Sequence, residues 1–215
     1  MTTFEGINNV ELQGELCWPE LKYTGSGKAL FKAKIRIPTT DQYSGDSRES
    51  HLRITAWEDF ATYFDELPPR SKVRVSGRIQ ERSFTNRDGK RQNVTEIIIN
   101  GAEPVDSDEG INRFHLRGEL VWPDLKQVGE RGTNLFRSKV IVPFYREDDP
   151  ENLRKAYIRI TAWDELAADL NASGEGAVVD LSGHIQERTW TAENGQKRVF
   201  TDAVVTNFTR AEETA

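Results

Sequence analysis

Two short runs of residues in this chain combine flat rings with cations at strand spacing. Lys32, Lys34 and Arg36 alternate with apolar residues, as do His51, Arg53 and Trp57, and then Arg74, Arg78 and Arg82, with Phe84 following in register. About 105 residues further on, the matching positions are Arg137 and Lys139, then Tyr157, Arg159 and Trp163, then His184, Arg188 and Trp190. A solvated face rarely spends tryptophan. Cations that track phosphates, interleaved with rings that stack on bases, are what a single-stranded nucleic acid requires, so that chemistry is expected on these faces. The competing reading is that Trp57 and Trp163 merely wrap round a barrel edge into the core; period and recurrence favour the first.

Other chemistry finds little support. Thr24-Gly25-Ser26-Gly27-Lys28-Ala29 looks like a phosphate loop only superficially, because Lys22 and Ala29 stand where a Gly and a Ser or Thr are needed. Glu147-Asp148-Asp149-Pro150-Glu151 lacks the spaced ligands of a cation loop and reads as a solvated one. His51, His115 and His184 are scattered, and Cys17 is the only cysteine, expected as a small buried hydrophobe. No catalytic residue, metal or cofactor is therefore expected.

The elements that must position these faces belong to a duplication. Gly14 to Lys22 recurs as Gly118 to Lys126, Arg53-Ile54-Thr55-Ala56-Trp57 as Arg159-Ile160-Thr161-Ala162-Trp163, and Gly77 to Arg82 as Gly183 to Arg188. The repeat is too long for a solenoid unit, so each copy is a domain, 1–105 and 106–215, with a polar linker over Gly101 to Ile111. Within a copy the period is two, the mark of strands with one buried face. Strand one alternates Val10, Leu12 and Leu16 with Glu11, Gln13 and Glu15, strand two buries Phe31, Ala33, Ile35 and Ile37, and strand three buries Leu52, Ile54 and Ala56. Strand four buries Val73, Val75 and Ile79, and strand five runs from Val94 to Ile99. Asp88-Gly89 and Asn194-Gly195 suit the tip of a long hairpin between strands four and five. Helical spacing of Phe60, Ala61, Phe64 and Leu67, repeated by Leu166, Ala167 and Leu170, falls between strands three and four. The expected fold is all-β: two tandem five-stranded oligonucleotide-binding (OB) barrels, each with a short helix between strands three and four.

The 215 residues are 36% hydrophobic and 30% charged, enough for a core under a solvated surface. The net charge of −6 is uneven: residues 1–105 hold 15 basic and 15 acidic side chains, whereas residues 106–215 hold 14 and 20. The first barrel is thus expected to depend more on phosphate contacts, and the second more on stacking. The start, Met1-Thr2-Thr3-Phe4-Glu5, has no leader pattern and no apolar run is long enough for a membrane span, so a cytoplasmic, nucleoid-associated location is expected and the glycosylation-like triplets at Asn93, Asn171 and Asn207 carry no meaning.

Asn9-Val10, Gly14, Pro19, Trp57 ahead of a helix, Gly77, and Phe84-Thr85 before Asp88-Gly89 also resemble the bacterial single-stranded DNA-binding protein family, in the form with two barrels per chain. The resemblance implies stacking rings at Tyr43, His51, Trp57 and Phe84 in the first copy and at Tyr145, Tyr157, Trp163 and Trp190 in the second. It implies a homodimer holding four barrels, and the strand-one edges Val10 to Leu16 and Phe114 to Leu120 could pair across a two-fold axis. His51 stands where a larger ring is expected. The sequence ends Arg210-Ala211-Glu212-Glu213-Thr214-Ala215 without the family's long linker and acidic tip, so recruitment of replication or repair enzymes by a tail is not expected. Trp18 and Trp122, each before a Pro, have no clear counterpart in the family motif and are read either as packing at the barrel mouth, the favoured role, or as base contacts. An OB module for protein interaction, or an RNA-binding barrel, are the alternatives.

Overall fold

The computed structural model describes residues 4–40, 47–85, 89, 91–146, 149–191 and 197–211. In the first copy the strands are β1 (Ile7–Tyr23), β2 (Ala29–Thr40), β3 (Ser47–Trp57), β4 (Lys72–Thr85) and β5 (Arg91–Pro104), with α1 (Glu58–Asp65) between β3 and β4. The second copy repeats them as β6 (Ile111–Val128), β7 (Thr133–Arg146), β8 (Asp149–Trp163), α2 (Asp164–Ser173), β9 (Val178–Thr191) and β10 (Lys197–Arg210). The order β2-β3-β5-β4-β1 closes through a β2–β1 pairing, and β7-β8-β10-β9 closes through β6 in the same way. Each copy is therefore a five-stranded barrel in which β3 meets β5, and β8 meets β10, in parallel.

The chain forms two compact units. The described residues of one lie in Asn9–Arg113 together with Gln186–Thr201, and those of the other in Met1–Asn8, Phe114–Ile185 and Asp202–Ala215. Each barrel has a core of the expected alternation: Val10, Leu12, Phe31, Ile35, Leu52, Ile54, Val75 and Ile79 are buried in the first, and Phe114, Leu116, Phe136, Val140, Ile158, Ile160, Leu181 and Ile185 in the second. Helix α1 lays Ala61 and Phe64 on that core, with Phe64 stacked on Phe31 at a centroid separation of 5.3 Å. Helix α2 does the same with Ala167 and Leu170.

Three expectations change. Gln13 is buried rather than solvated; its side-chain amide donates to the carbonyl of Glu109 at 2.8 Å and its oxygen accepts from Arg74 Nε at 2.9 Å. A buried amide must find such partners, and the strand pairing of Gln13 with Arg74 supplies one. The linker is shorter than the polar composition implies, because β5 continues through Pro104, opposite Val73, and only residues 105–110 lie outside strands. Those residues dock on the first barrel, where Val105 N donates to Lys72 O at 3.0 Å and Lys72 pairs with Asp108 at 2.7 Å. Cys17 is half-buried, and burial pushes its thiol pKa up. The turn at Asp88-Gly89 is described only at Gly89, whose φ of 73° suits glycine, and Asn194-Gly195 lies outside the described residues.

Gly14 is required where β1 crosses β2. A Cβ there would fall on the carbonyl oxygen of Arg36, backbone that cannot rotate away. Gly14→Ala should therefore cost about 1–3 kcal/mol of overpacking. Urea unfolding followed by circular dichroism should show a lower midpoint with an unchanged slope; an unchanged midpoint would mean that the strands separate there without strain.

Candidate nucleic-acid interface

The face opposite the core is organised by the β2–β3 register. Arg36 pairs with His51, Lys34 with Arg53, Lys32 with Thr55 and Leu30 with Trp57. In the second copy Ile141 pairs with Tyr157, Lys139 with Arg159, Arg137 with Thr161 and Leu135 with Trp163. Directly paired residues share a face, so each copy sets a Lys beside an Arg, with rings at both ends of the β3 or β8 segment. Thr55 and Thr161 are buried within this row, beneath their strand partners Lys32 and Arg137, which reach solvent.

Trp57 and Trp163 are the last strand residues before the helices, and the residues after them, Glu58 and Asp164, have φ of 52° and 56°. Left-handed backbone at a non-glycine costs about 1–2 kcal/mol, so the chain turns sharply from strand to helix at the cost of strain. Trp57 remains exposed and Trp163 half-buried. Tyr145 and Tyr157 are exposed, His51 and Arg159 half-buried, and Arg53, Arg78, Arg82 and Arg137 exposed. Lys32, Lys34, Arg36 and Lys139 are half-buried. Tyr43 lies outside the described residues, and Phe84, Arg188 and Trp190 occupy strand positions of β4 and β9 whose side chains are likewise outside them.

The cations are not arrayed alone. Arg36 is held by Glu15 and, at 3.1 Å, by Glu49, and Arg70 Nε reaches Glu15 at 2.7 Å. The hydrogen bond from Arg70, with Arg36 helping and burial opposing, holds the Glu15 carboxyl below the usual carboxylate range. Lys32 and Arg82 both reach Glu96, at 3.8 and 3.2 Å. Within the unit that contains Asn9–Arg113 and Gln186–Thr201, Glu187 receives Lys34 Nζ at 2.6 Å and lies 3.8 Å from Arg53 Nε. Only 11% of its side chain is exposed, and its Oε2 accepts no hydrogen bond from the described residues. Glu187 is the residue that reading the sequence missed. Its one sequence signal is recurrence within Ile79-Gln80-Glu81-Arg82 and Ile185-Gln186-Glu187-Arg188.

Sequence comparison fixes the family. The profile of the single-strand binding protein family matches residues 7–105 and again 111–211. The chain belongs to this family. It is similar to a single-stranded DNA-binding protein of Deinococcus radiodurans, 26% identical over 97% of this chain and 74% of that protein. One from Thermus aquaticus is 24% identical over 91% of this chain and 81% of the relative. One from Enterococcus faecalis is 33% identical, over 47% of this chain and 55% of its own length. The crystal structure of the wild-type Thermus aquaticus single-stranded DNA binding protein superposes with a TM-score of 0.78 at 21% identity, covering 99% of this chain and 96% of that one, which shows the shared two-barrel fold.

Glu187 neutralises Lys34 and Arg53 at the centre of a face that a polyanion would use. Glu187→Gln should leave both cations available to phosphate, tighten oligo-dT binding at low salt and steepen the salt dependence by about −0.7 per phosphate newly neutralised. Fluorescence titrations across a salt series measure this. Weaker binding with a flatter slope would instead mean that Glu187 holds the cations in place.

Proposed function

We propose that this protein binds single-stranded DNA without catalysis and without sequence preference, protecting it during replication, recombination or repair. The observation that carries this reading is the β2–β3 register and its repetition in β7–β8. Both put paired cations beside exposed rings, the combination that holds phosphates and stacks on any base. Membership of the single-strand binding family and the names of its relatives support single-stranded DNA as the ligand. The working parts are the OB domains 1–105 and 106–215. Phosphates are assigned to Lys32, Lys34, Arg36, Arg53, Arg78, Arg82, Arg137, Lys139, Arg159 and Arg188, and bases to Tyr43, His51, Trp57, Phe84, Tyr145, Tyr157, Trp163 and Trp190. Among the described residues no helix is long and apolar enough to cross a membrane, and a binding protein for chromosomal single strands would act in the cytoplasm beside the nucleoid.

Stacking should be worth about 1–3 kcal/mol per base. The triple variant Trp57→Ala, Trp163→Ala, Trp190→Ala should therefore lose affinity for oligo-dT by several orders of magnitude while keeping its far-ultraviolet circular dichroism. Equal affinity in a folded triple variant would sink the assignment. Parallel titrations with oligo-U separate the DNA reading from an RNA-binding one, and absence of binding to either would favour a protein-interaction module.

The assembly proposed is a homodimer, supported by the resemblance to a family whose working unit has four barrels and by the presence of two in this chain. Light scattering at micromolar concentration should give twice the chain mass of 24.5 kDa; a mass equal to one chain would refute the dimer.

A further inference from the structure

Trp18 and Trp122 stand out among the exposed side chains. The first is 66% exposed and the second 61%, far more than Trp57 at 39%. Neither is loose surface. Each sits in a β-bulge: Cys17 pairs with Lys34 and Glu20 with Lys32, so Trp18 and Pro19 together face Ala33 alone. Val121 pairs with Lys139 and Asp124 with Arg137, so Trp122 and Pro123 face Ser138. Both tryptophans have left-handed backbone, φ 50° and 54°, and a bulge of this kind re-aims the side chain it carries. In the second copy Ser138 Oγ donates to the Val121 carbonyl at 2.8 Å, and Trp122 N donates to Glu175 Oε1 at 3.3 Å, which fixes the bulge.

The rings are aimed at the candidate interface. Trp18 meets His51 with ring centroids 5.3 Å apart and planes 33° off parallel; Trp122 meets Tyr157 at 5.9 Å and 11°. These separations are those of rings in mutual contact, so a base has its place on the outer, solvent side of the tryptophan and not between the two rings. Each tryptophan is also next in sequence to the residue that pairs with the lysine of the cation pair, Cys17 with Lys34 and Val121 with Lys139. A packing role would bury the indole. Here it is the inner ring, His51 or Tyr157, that is the more covered partner.

We propose that Trp18 and Trp122 are base-stacking residues, each backed by the ring on the neighbouring strand, that extend the single-strand path beyond the β2–β3 and β7–β8 faces. In the first copy the indole supplies the large platform that His51 lacks. In the second, Trp122 and Tyr157 form a near-parallel pair. This inference rests on the single-strand reading above, and the test separates the two.

The full-length protein is titrated with oligo-dT and with an abasic oligonucleotide of equal length, which keeps the phosphates and removes the bases. Trp18→Ala and Trp122→Ala should each weaken oligo-dT binding about 5- to 150-fold, the loss of one stacked base, and leave the abasic strand unaffected. His51→Ala should cost less than Trp18→Ala. Trp18→Gly and Trp122→Gly are the second variants, because glycine adopts this backbone without strain and leaves the bulge intact; they should lose the same selectivity for the strand with bases. Unchanged oligo-dT affinity in the variants, or equal losses on both strands, overturns the proposal while wild-type binding still upholds the single-strand reading. A wild-type protein that binds neither strand overturns both.

Discussion

The candidate interface depends on the pairing of β2 with β3 in one unbroken register, from Leu30 opposite Trp57 to Thr40 opposite Ser47. Side chains alternate along a strand, so a slip by one residue would turn outward either Phe31, Ile35 and Ile37 of β2 or Leu52 and Ile54 of β3. All five are almost completely buried, and each such side chain contributes about 1.5–3 kcal/mol by leaving water. The core therefore fixes the register, and the register in turn places Lys34 against Arg53 and Arg36 against His51. The functional face inherits its geometry from the side that never meets solvent.

Charge on that face is governed by neighbours rather than by net balance. A chain of net charge −6 attracts a polyanion only through local cations, yet Arg36, Lys32, Arg82 and Lys34 are each within ion-pair distance of a carboxylate. The cations keep part of their hydration, but the carboxylates Glu15, Glu96 and Glu187 expose only 14%, 12% and 11% of their side chains, and a carboxylate removed from water depends on its cations. Glu187 differs in its place: it lies between Lys34 and Arg53, the cation pair of the β2–β3 register. Its bond to Lys34 then sets how much of the first barrel's positive charge a strand of DNA can reach.

The barrel, its repeat and its helices were legible because they rest on local signals. Alternation reports which face is buried, and Ala61 and Phe64 report the helix that covers the barrel. What escaped was non-local. Gln13 looks like an ordinary solvated strand residue until Glu109, 96 positions away, accepts from its amide, and Glu187 is 153 positions from Lys34. Polar composition alone marked residues 101–111 as linker, although strand pairing claims them up to Pro104. The placement of His51, Trp57, Tyr157 and Trp163 on the same strand face as the cations was legible as alternation. The direction of Trp18 and Trp122 was not, because a bulge breaks the two-residue period on which such reasoning relies.

The two copies agree in backbone and differ in chemistry. The Trp-Pro bulge, the sharp turn after the last strand tryptophan and the close approach at Gly14 and Gly118 occur in both, and each is a steric requirement that few sequences meet. Where only complementarity is required, the copies diverge. The pair Gln13 and Arg74 becomes Arg117 and Asp180, with the cation moved to the other strand and Arg117 Nε 2.9 Å from Asp180 Oδ1. His51 becomes Tyr157, and Glu15, bound by two arginines, becomes Glu119 opposite Ile141. A duplicated barrel is free to change what its strands present as long as it keeps how they cross. That freedom gives one chain two unequal faces, one with more cation and the other with larger rings.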